Sequence, residues 1–428
     1  MSPLQNSRLV EEAPDRKRDW LLSFRSDPVL TSDVLAVLTA ASLPWSTTLV
    51  SIFSAFWILN IFRTLRLEAF RDSISRSKSI FPILLFLLVL IGTVWATGVS
   101  WPARLRGVNP AIKLLAIPFL VYHYQRSPRA IWTLFAFLLS CTGLMALSWV
   151  TALDPNLTRN PASLPGVPVK NYIDQSQSFA LCAVVLAWPI LKLSQSRQYV
   201  FAFSLFVLAI GFLANLSFVV LARTALVYVP IMLLFFVALH LPRSISYGVV
   251  ACSILLAATA WFSSSNLQTR TNSIMLEYSK YGTSNEKTSA GLRLEYWRKS
   301  FGFFLEAPIL GHGTGSVQML FDRAAKGQTG LATETISNPH NQTLSVAVQW
   351  GVVGCVILFA MWTAHLLLFR GTGLYSWLGF IAVVQNIVSS LFNSHLFDFV
   401  PGWIYVISVS LAAGIILQRQ DKLEEAAQ

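Results

Sequence analysis

Apolar residues run in blocks of about 18 to 25, the length that crosses a bilayer core, and short polar connectors separate them. The pattern predicts about twelve transmembrane helices, at 29–44, 46–62, 80–98, 109–124, 130–152, 172–192, 199–217, 222–240, 245–263, 343–369, 372–392 and 399–418. The first two are short and share a break at Pro44, so a bent pair is expected there. An even number of spans puts both termini on one side. Two polar stretches interrupt the pattern, the first 28 residues and 264–342. The first lacks the apolar core of a signal peptide. The second mixes Ser/Thr/Asn-rich loop (263–266 and 283–289) with a helical pattern over Gly291–Glu306, closed by Ala307, Pro308 and Gly311. Leu292, Tyr296, Phe303 and Phe304 give that helix an apolar stripe for the bundle or the membrane surface. The expected organisation is an N-terminal tail (1–28), a bundle of about nine spans (29–263), a loop domain (264–342), about three more spans (343–418) and a C-terminal tail (419–428).

Composition agrees with the pattern. Of 428 residues, 54% are hydrophobic and only 12% charged, half the charge of a soluble domain. A cytosolic enzyme, a disordered chain and a coiled coil are excluded, and the fold class is an all-α polytopic membrane protein. The net charge of +12 must be divided between two sides of a membrane before it says anything about partners. With the N-terminus inside, 18 of the 32 Lys and Arg fall on cytoplasmic segments. Eight more sit in 264–342, and the short outer connectors keep only Arg104, Arg106, Lys113, Arg159, Lys170 and Arg223. That asymmetry places both termini in the cytoplasm and 264–342 outside. Nucleic acid is not an expected partner. Cys141, Cys182, Cys252 and Cys355 lie in or beside apolar runs without C-x-x-C spacing, so they read as small buried hydrophobes.

Chemistry is sought among the outer basic residues, which orientation does not explain. Arg223 stands between two apolar helices at their outer junction, with no acidic residue near it in sequence. An arginine at membrane depth needs a partner or a task, and its fork suits phosphate oxygens; snorkelling to the interface is the structural alternative. Arg293, Trp297 and Ser300 share one helical stripe, with Arg293 in the first turn of the predicted helix, where its charge opposes the dipole. A solvated face would explain it equally. Lys170 and Arg159 add positive charge at the same mouth. Of six histidines, His123, His240 and His365 map to inner span ends and read as interfacial or packing residues, whereas His312, His340 and His395 map outside. His340 follows Pro339 just before a span, among the amides Asn338, Asn341 and Gln342. Imidazole in a polar pocket is equipped for general-base work, although a lone histidine at a helix start is often only a cap. Gly311-His312-Gly313-Thr314-Gly315 looks like a phosphate cradle but lacks the spacing and the strand–helix context, so a tight turn is expected. Asp154, Asp174, Glu277, Glu295, Glu306 and Glu334 are scattered, and no metal-ligand set is visible.

Taken together, these motifs resemble one family. Arg293 to Trp297, Phe304 to Ser316 with its Pro308 and Gly-x-Gly, and Asn338-Pro339-His340-Asn341 resemble the O-antigen ligase/polymerase superfamily of bacterial envelope proteins. Leu221-Ala222-Arg223 resembles that family's arginine at a span start, and Lys170 to Gln177 resembles an outer-loop motif of the ligase branch. Val219 to Ala222 depart from a more Ser-rich stretch in the family.

The resemblance implies a glycosyltransferase type C-like protein of the inner membrane, with its active site in the periplasm. Such a protein takes undecaprenyl-diphosphate-linked O-antigen as donor and lipid A-core as acceptor, and needs no cofactor, nucleotide or metal. It also implies roles. His340 would be the general base, and Arg223 and Arg293 would hold the diphosphate, joined by Lys170, Asn341 and Gln175. Trp297, Tyr296 and Trp350 are candidates for stacking on sugar, with packing the stronger expectation. An O-antigen polymerase, a protein O-oligosaccharyltransferase and, more distantly, a lipid-linked saccharide transporter remain alternatives. A transporter is expected to carry ionisable residues at mid-span, whereas here, apart from Lys113 near one span end, the span interiors are almost free of charge.

Overall fold

The computed structural model describes residues 27–157, 164–219, 222–265, 268–269, 271–273, 276 and 288–427. Most of the N-terminal tail, Arg159, Glu277 and most of the Thr283–Ser289 loop lie outside them. The described residues form helices joined by turns: α1 (Pro28–Ser42), α2 (Thr47–Ile61), α3 (Leu67–Arg76), α4 (Ile80–Ile91), α5 (Trp101–Ile112), α6 (Ala116–Arg126), α7 (Ile131–Leu153), α8 (Tyr172–Val185), α9 (Ala187–Gln195), α10 (Tyr199–Phe218), α11 (Ala225–His240), α12 (Arg243–Ser263), α13 (Ser289–Glu306), α14 (Ser316–Ala325), α15 (Gln342–Leu368), α16 (Leu374–Ser389) and α17 (Phe399–Ala427).

Every predicted span falls on an apolar helix, but the count of twelve is not reached by length. Among the described residues, seven helical stretches are long and apolar enough to cross a membrane, with α5 and α6 counted as one and α8 and α9 as another, or eight if α3 and α4, bent by 97°, act as one span. The segments α1, α2, α11 and α16 are apolar but shorter. Large side chains such as Leu139, Val200 and Phe262 are 75%, 77% and 73% exposed. A surface this apolar is stable in lipid and not in water, and the chain is a multi-pass membrane protein. At the centre stands α17, buried through Leu417 on nearly every face; a helix apolar all round belongs inside a bundle. It runs parallel to α6: Lys113 meets Asp398 at their N-terminal ends and Gln125 meets Asp421 at their C-terminal ends. Gly414 admits the backbone of α6, since a Cβ there would lie 2.9 Å from the Val121 carbonyl oxygen.

The predicted span 343–369 is not continuous. Gly351 has φ 60° and ψ −155°, a combination open essentially to glycine alone. The chain folds back there, and Cys355 Sγ lies 3.9 Å from the Thr343 carbonyl oxygen, whereas twelve residues of straight helix would span about 18 Å. A break inside the bundle strands backbone donors and acceptors on both arms, each costly to bury unpaired. The Pro308–Gly315 loop supplies partners for four of them. Val352 and Val353 donate to the carbonyls of Pro308 and Ile309 at 2.8 and 3.3 Å, while His312 and Gly313 donate to those of Val348 and Gln349 at 2.9 and 2.8 Å. Thr314 then caps the end of α4, its N–H on the Gly92 carbonyl at 3.0 Å and its hydroxyl on that of Val89 at 2.6 Å. Arg104, left over by the orientation rule, caps the same helix end through the Thr93 carbonyl at 2.7 Å.

The expected tight turn at Gly311–Gly315 is present, with φ of 65°, 86° and 81° at its glycines. Its N–H groups serve protein acceptors: Gly315 donates to Gln349 Oε1 at 2.8 Å, beside the bonds of His312, Gly313 and Thr314. Those donors are spent on the fold and leave none from His312 to Gly315 for a phosphate.

Candidate active site

The site is built where the loop before α15 meets the turn between α16 and α17. His340 adopts φ 55°, a conformation uncommon outside glycine and found at constrained positions. Its N–H donates to Asn338 Oδ1 at 2.9 Å, and the Ser394 hydroxyl donates to the same oxygen at 2.7 Å. Gln342 N–H bonds the Ser390 carbonyl at 2.9 Å, and Leu396 N–H bonds Gln342 Oε1 at 3.1 Å. The 338–342 segment is thereby pinned to the 390–398 turn along its length.

Within this contact the imidazole has a defined tautomer. Asn393 Nδ2 donates to the carboxylate of Asp398 at 2.6 Å, which fixes the amide with its oxygen toward His340. That oxygen lies 2.8 Å from His340 Nδ1, so Nδ1 carries the proton and Nε2 keeps a lone pair. Asp398 Oδ2 also accepts from His395 Nδ1 at 3.1 Å. The Tyr296 ring of α13 lies 6.1 Å from the His340 ring and tilted by 32°. Burial raises the Tyr296 phenol above its ordinary pKa, with Glu334 adding to the shift, and the hydroxyl stays neutral. Among the described residues no three His, Cys, Asp or Glu side chains gather as metal ligands would.

The predicted residues divide by position. Arg293 is half-buried and lies one turn before Tyr296 on α13, where Cβ atoms three apart on a helix are about 5–6 Å apart. The helix begins at Ser289 behind a Thr288 cap, two residues before the predicted start, so Arg293 sits in the second turn and its conflict with the dipole is smaller than expected. Arg298 and Lys299 are engaged elsewhere, on Glu295 at 2.7 Å and on the Ala332 carbonyl. The Arg298 fork holds the Glu295 carboxyl below its ordinary range, against burial.

Arg223 precedes α11 and donates to Ser273 Oγ at 3.1 Å, while the N–H of Ala222 bonds Ser176 on α8 at 3.3 Å. The backbone beside Arg223 thus touches α8, whose Asp174 interacts electrostatically with Lys170, His395 and Asp398. Lys170 has φ 54° and donates to the Leu43 carbonyl. Burial lowers its ammonium to about 8, opposed by the charge of Asp174.

Two expectations change. Gln175, expected to touch the donor, is 3% exposed, and its amide nitrogen donates to Ser148 Oγ at 2.9 Å and the Gly166 carbonyl at 3.1 Å. These bonds tie it to the loop that carries Lys170. Asn341 caps α15 through Leu344 N–H at 3.0 Å and donates to the Leu391 carbonyl at 3.0 Å, so its polar atoms are committed at the site's edge. Trp350, 1% exposed, donates to Thr314 at 2.9 Å and packs against Phe397, as expected of a packing residue.

Asn393 and Asp398 were not singled out from sequence. Their signal was the connector itself: Asn393, Ser394, His395 and Asp398 crowd a short turn between two apolar spans, where a plain reversal needs none of them.

Residues 208–359 match the family model described as O-antigen ligase. The matched stretch holds Arg223, Arg293 and His340 and ends before the 390–398 turn. No match to a curated protein was found. Over these residues, 152 of the 428, the multi-pass membrane chain is similar to the O-antigen ligase family.

Proposed function

We propose that the chain is an O-antigen ligase, which moves a saccharide from undecaprenyl diphosphate to a sugar hydroxyl of lipid A-core at the periplasmic face of the inner membrane. The observation that carries this reading is the His340 tautomer, with Nδ1–H on Asn393 at 2.8 Å and Nε2 left as a proton acceptor. His340 Nε2 takes the hydroxyl proton of the acceptor as its oxygen bonds to the anomeric carbon. The bond from that carbon to the diphosphate breaks with its electron pair, and the configuration inverts in one step. Arg223 and Arg293, with Lys170 nearby, hold the charge that develops on the departing diphosphate; preorganised cations of this kind act most strongly where water is excluded. No step calls for a nucleotide or a metal.

The test is transfer by purified protein from lipid-linked donor to lipid A-core. A positioned base contributes about 10²–10⁴ in rate, and His340→Ala is expected to lose that much. Near wild-type rates in both His340→Ala and Arg293→Ala would end the scheme. The acceptor separates ligase from polymerase: a deletion strain that accumulates full-length polymer on undecaprenyl diphosphate supports the ligase, and one that accumulates single repeats supports a polymerase.

A further inference from the structure

Lys113 is the charge that breaks the apolar pattern, and the reaction above leaves it without a task. It begins the short turn between α5 and α6 and is 9% exposed. An ionised side chain at this depth is costly unless it is fully engaged. Its Nζ donates to the carbonyls of Phe397 at 2.8 Å and Asp398 at 2.6 Å, the last two residues of the turn that carries Asn393. The stem lies over Gly402 on α17, where a Cβ would fall 2.3 Å from Lys113 Cε and 2.5 Å from the Leu396 carbonyl oxygen. Glycine is therefore needed at 402 for the lysine to pass between helix and turn.

We infer that Lys113 is a positioning residue: it clamps the 390–398 turn so that Asp398 and Asn393 hold His340 with Nε2 free. The path is short. The ammonium fixes the Asp398 backbone, the Asp398 carboxylate fixes Asn393 at 2.6 Å, and Asn393 fixes the imidazole at 2.8 Å. The cation also faces the Asp398 carboxylate, which interacts with it electrostatically and is shared with His395. Lys113 touches no reacting atom. Its effect is geometric, and small displacements of a base are expensive in rate. The catalytic half of this inference rests on the transfer proposed above; the clamp itself does not.

Two readouts on the full-length protein test it, with variants Lys113→Met, Lys113→Arg and Gly402→Ala. The first is hydrogen–deuterium exchange of peptides covering 336–344 and 390–399. Lys113→Met and Gly402→Ala are expected to speed exchange in both segments, while peptides of α7 stay as in wild type; Lys113→Arg retains protection. The second is transfer kinetics. Lys113→Met is expected to lower kcat about tenfold or more with donor KM within about twofold of wild type, and Lys113→Arg recovers part of the loss. Combining Lys113→Met with Gly402→Ala should cost little more than either alone, because both remove one contact. Unchanged exchange in 336–344 and 390–399 overturns the clamp. Faster exchange with unchanged kcat overturns the positioning role. If wild-type protein transfers no saccharide, the proposed reaction fails, and the exchange data alone still decide whether the clamp exists.

Discussion

With Nδ1 of His340 committed to Asn393 at 2.8 Å, the amide selects the tautomer in which Nε2 can accept a proton. Asn393→Leu keeps the volume and removes that selection. It is expected to lower kcat by about ten- to a hundredfold, part of what a positioned base supplies, with donor KM little changed in the transfer assay. Lys170 makes a prediction about pH. Burial lowers its ammonium from 10.5 to about 8, so the folded protein disfavours the charged form. The resulting destabilisation is full below 8 and is relieved as pH rises toward 10.5. Charge available for a diphosphate is lost over the lower edge of that window, so donor KM should climb between about pH 7 and 9. Lys170→Arg stays charged and should flatten the climb; an equally steep rise in that variant would remove Lys170 from donor binding. His340, Arg223 and Arg293 were singled out in sequence because each is a costly residue type in an apolar or constrained setting. Asn393 was not, since its meaning comes from a partner more than fifty residues away in the chain, 53 by count, and no local period reports such a pairing.

Helices were the most readable elements, because a block of apolar residues long enough for lipid has few other folds. The break in α15 escaped detection because a single glycine in an apolar run is compatible with an unbroken helix. Its conformation depends on the loop that completes it. At Gly351 an added Cβ would lie 2.2 Å from the Ile309 carbonyl oxygen, and the backbone there is one that alanine avoids. Gly351→Ala is expected to destabilise by about 3 kcal/mol, read as a lower Tm in detergent or as loss of folded protein. Gly302, in α13 with open space around its Cβ position, gives the opposite expectation. Gly302→Ala should stabilise by about 0.5–1 kcal/mol through helix propensity. Equal Tm values for the two variants would contradict the role assigned to the Pro308–Gly315 loop. The same loop explains why Gly-x-Gly resembled a phosphate cradle. Both uses need backbone N–H groups that are closely approached, and sequence cannot show which acceptor approaches.

At the scale of the whole molecule, polar chemistry divides between two ends. His340, Asn393, His395 and Asp398 gather at one, while Arg76 pairs with Asp421 at 2.5 Å and His123 with Asp33 at 3.1 Å at the other. From the Lys/Arg distribution we propose that the second end is cytoplasmic. In a cysteine-free background, Gln328→Cys should react with a membrane-impermeant maleimide on intact spheroplasts, and Glu425→Cys only after permeabilisation; the reverse labelling would invert the orientation and remove the active site from the periplasm. The fold-back at Gly351 also bears on biosynthesis. A chain inserted from its N-terminus delivers the Pro308–Gly315 loop, and α4 before it, ahead of the helix whose backbone they complete. The second arm of α15 therefore enters a membrane where its hydrogen-bond partners already wait, and a segment too irregular to insert unaided can be accepted into the assembled half of the protein.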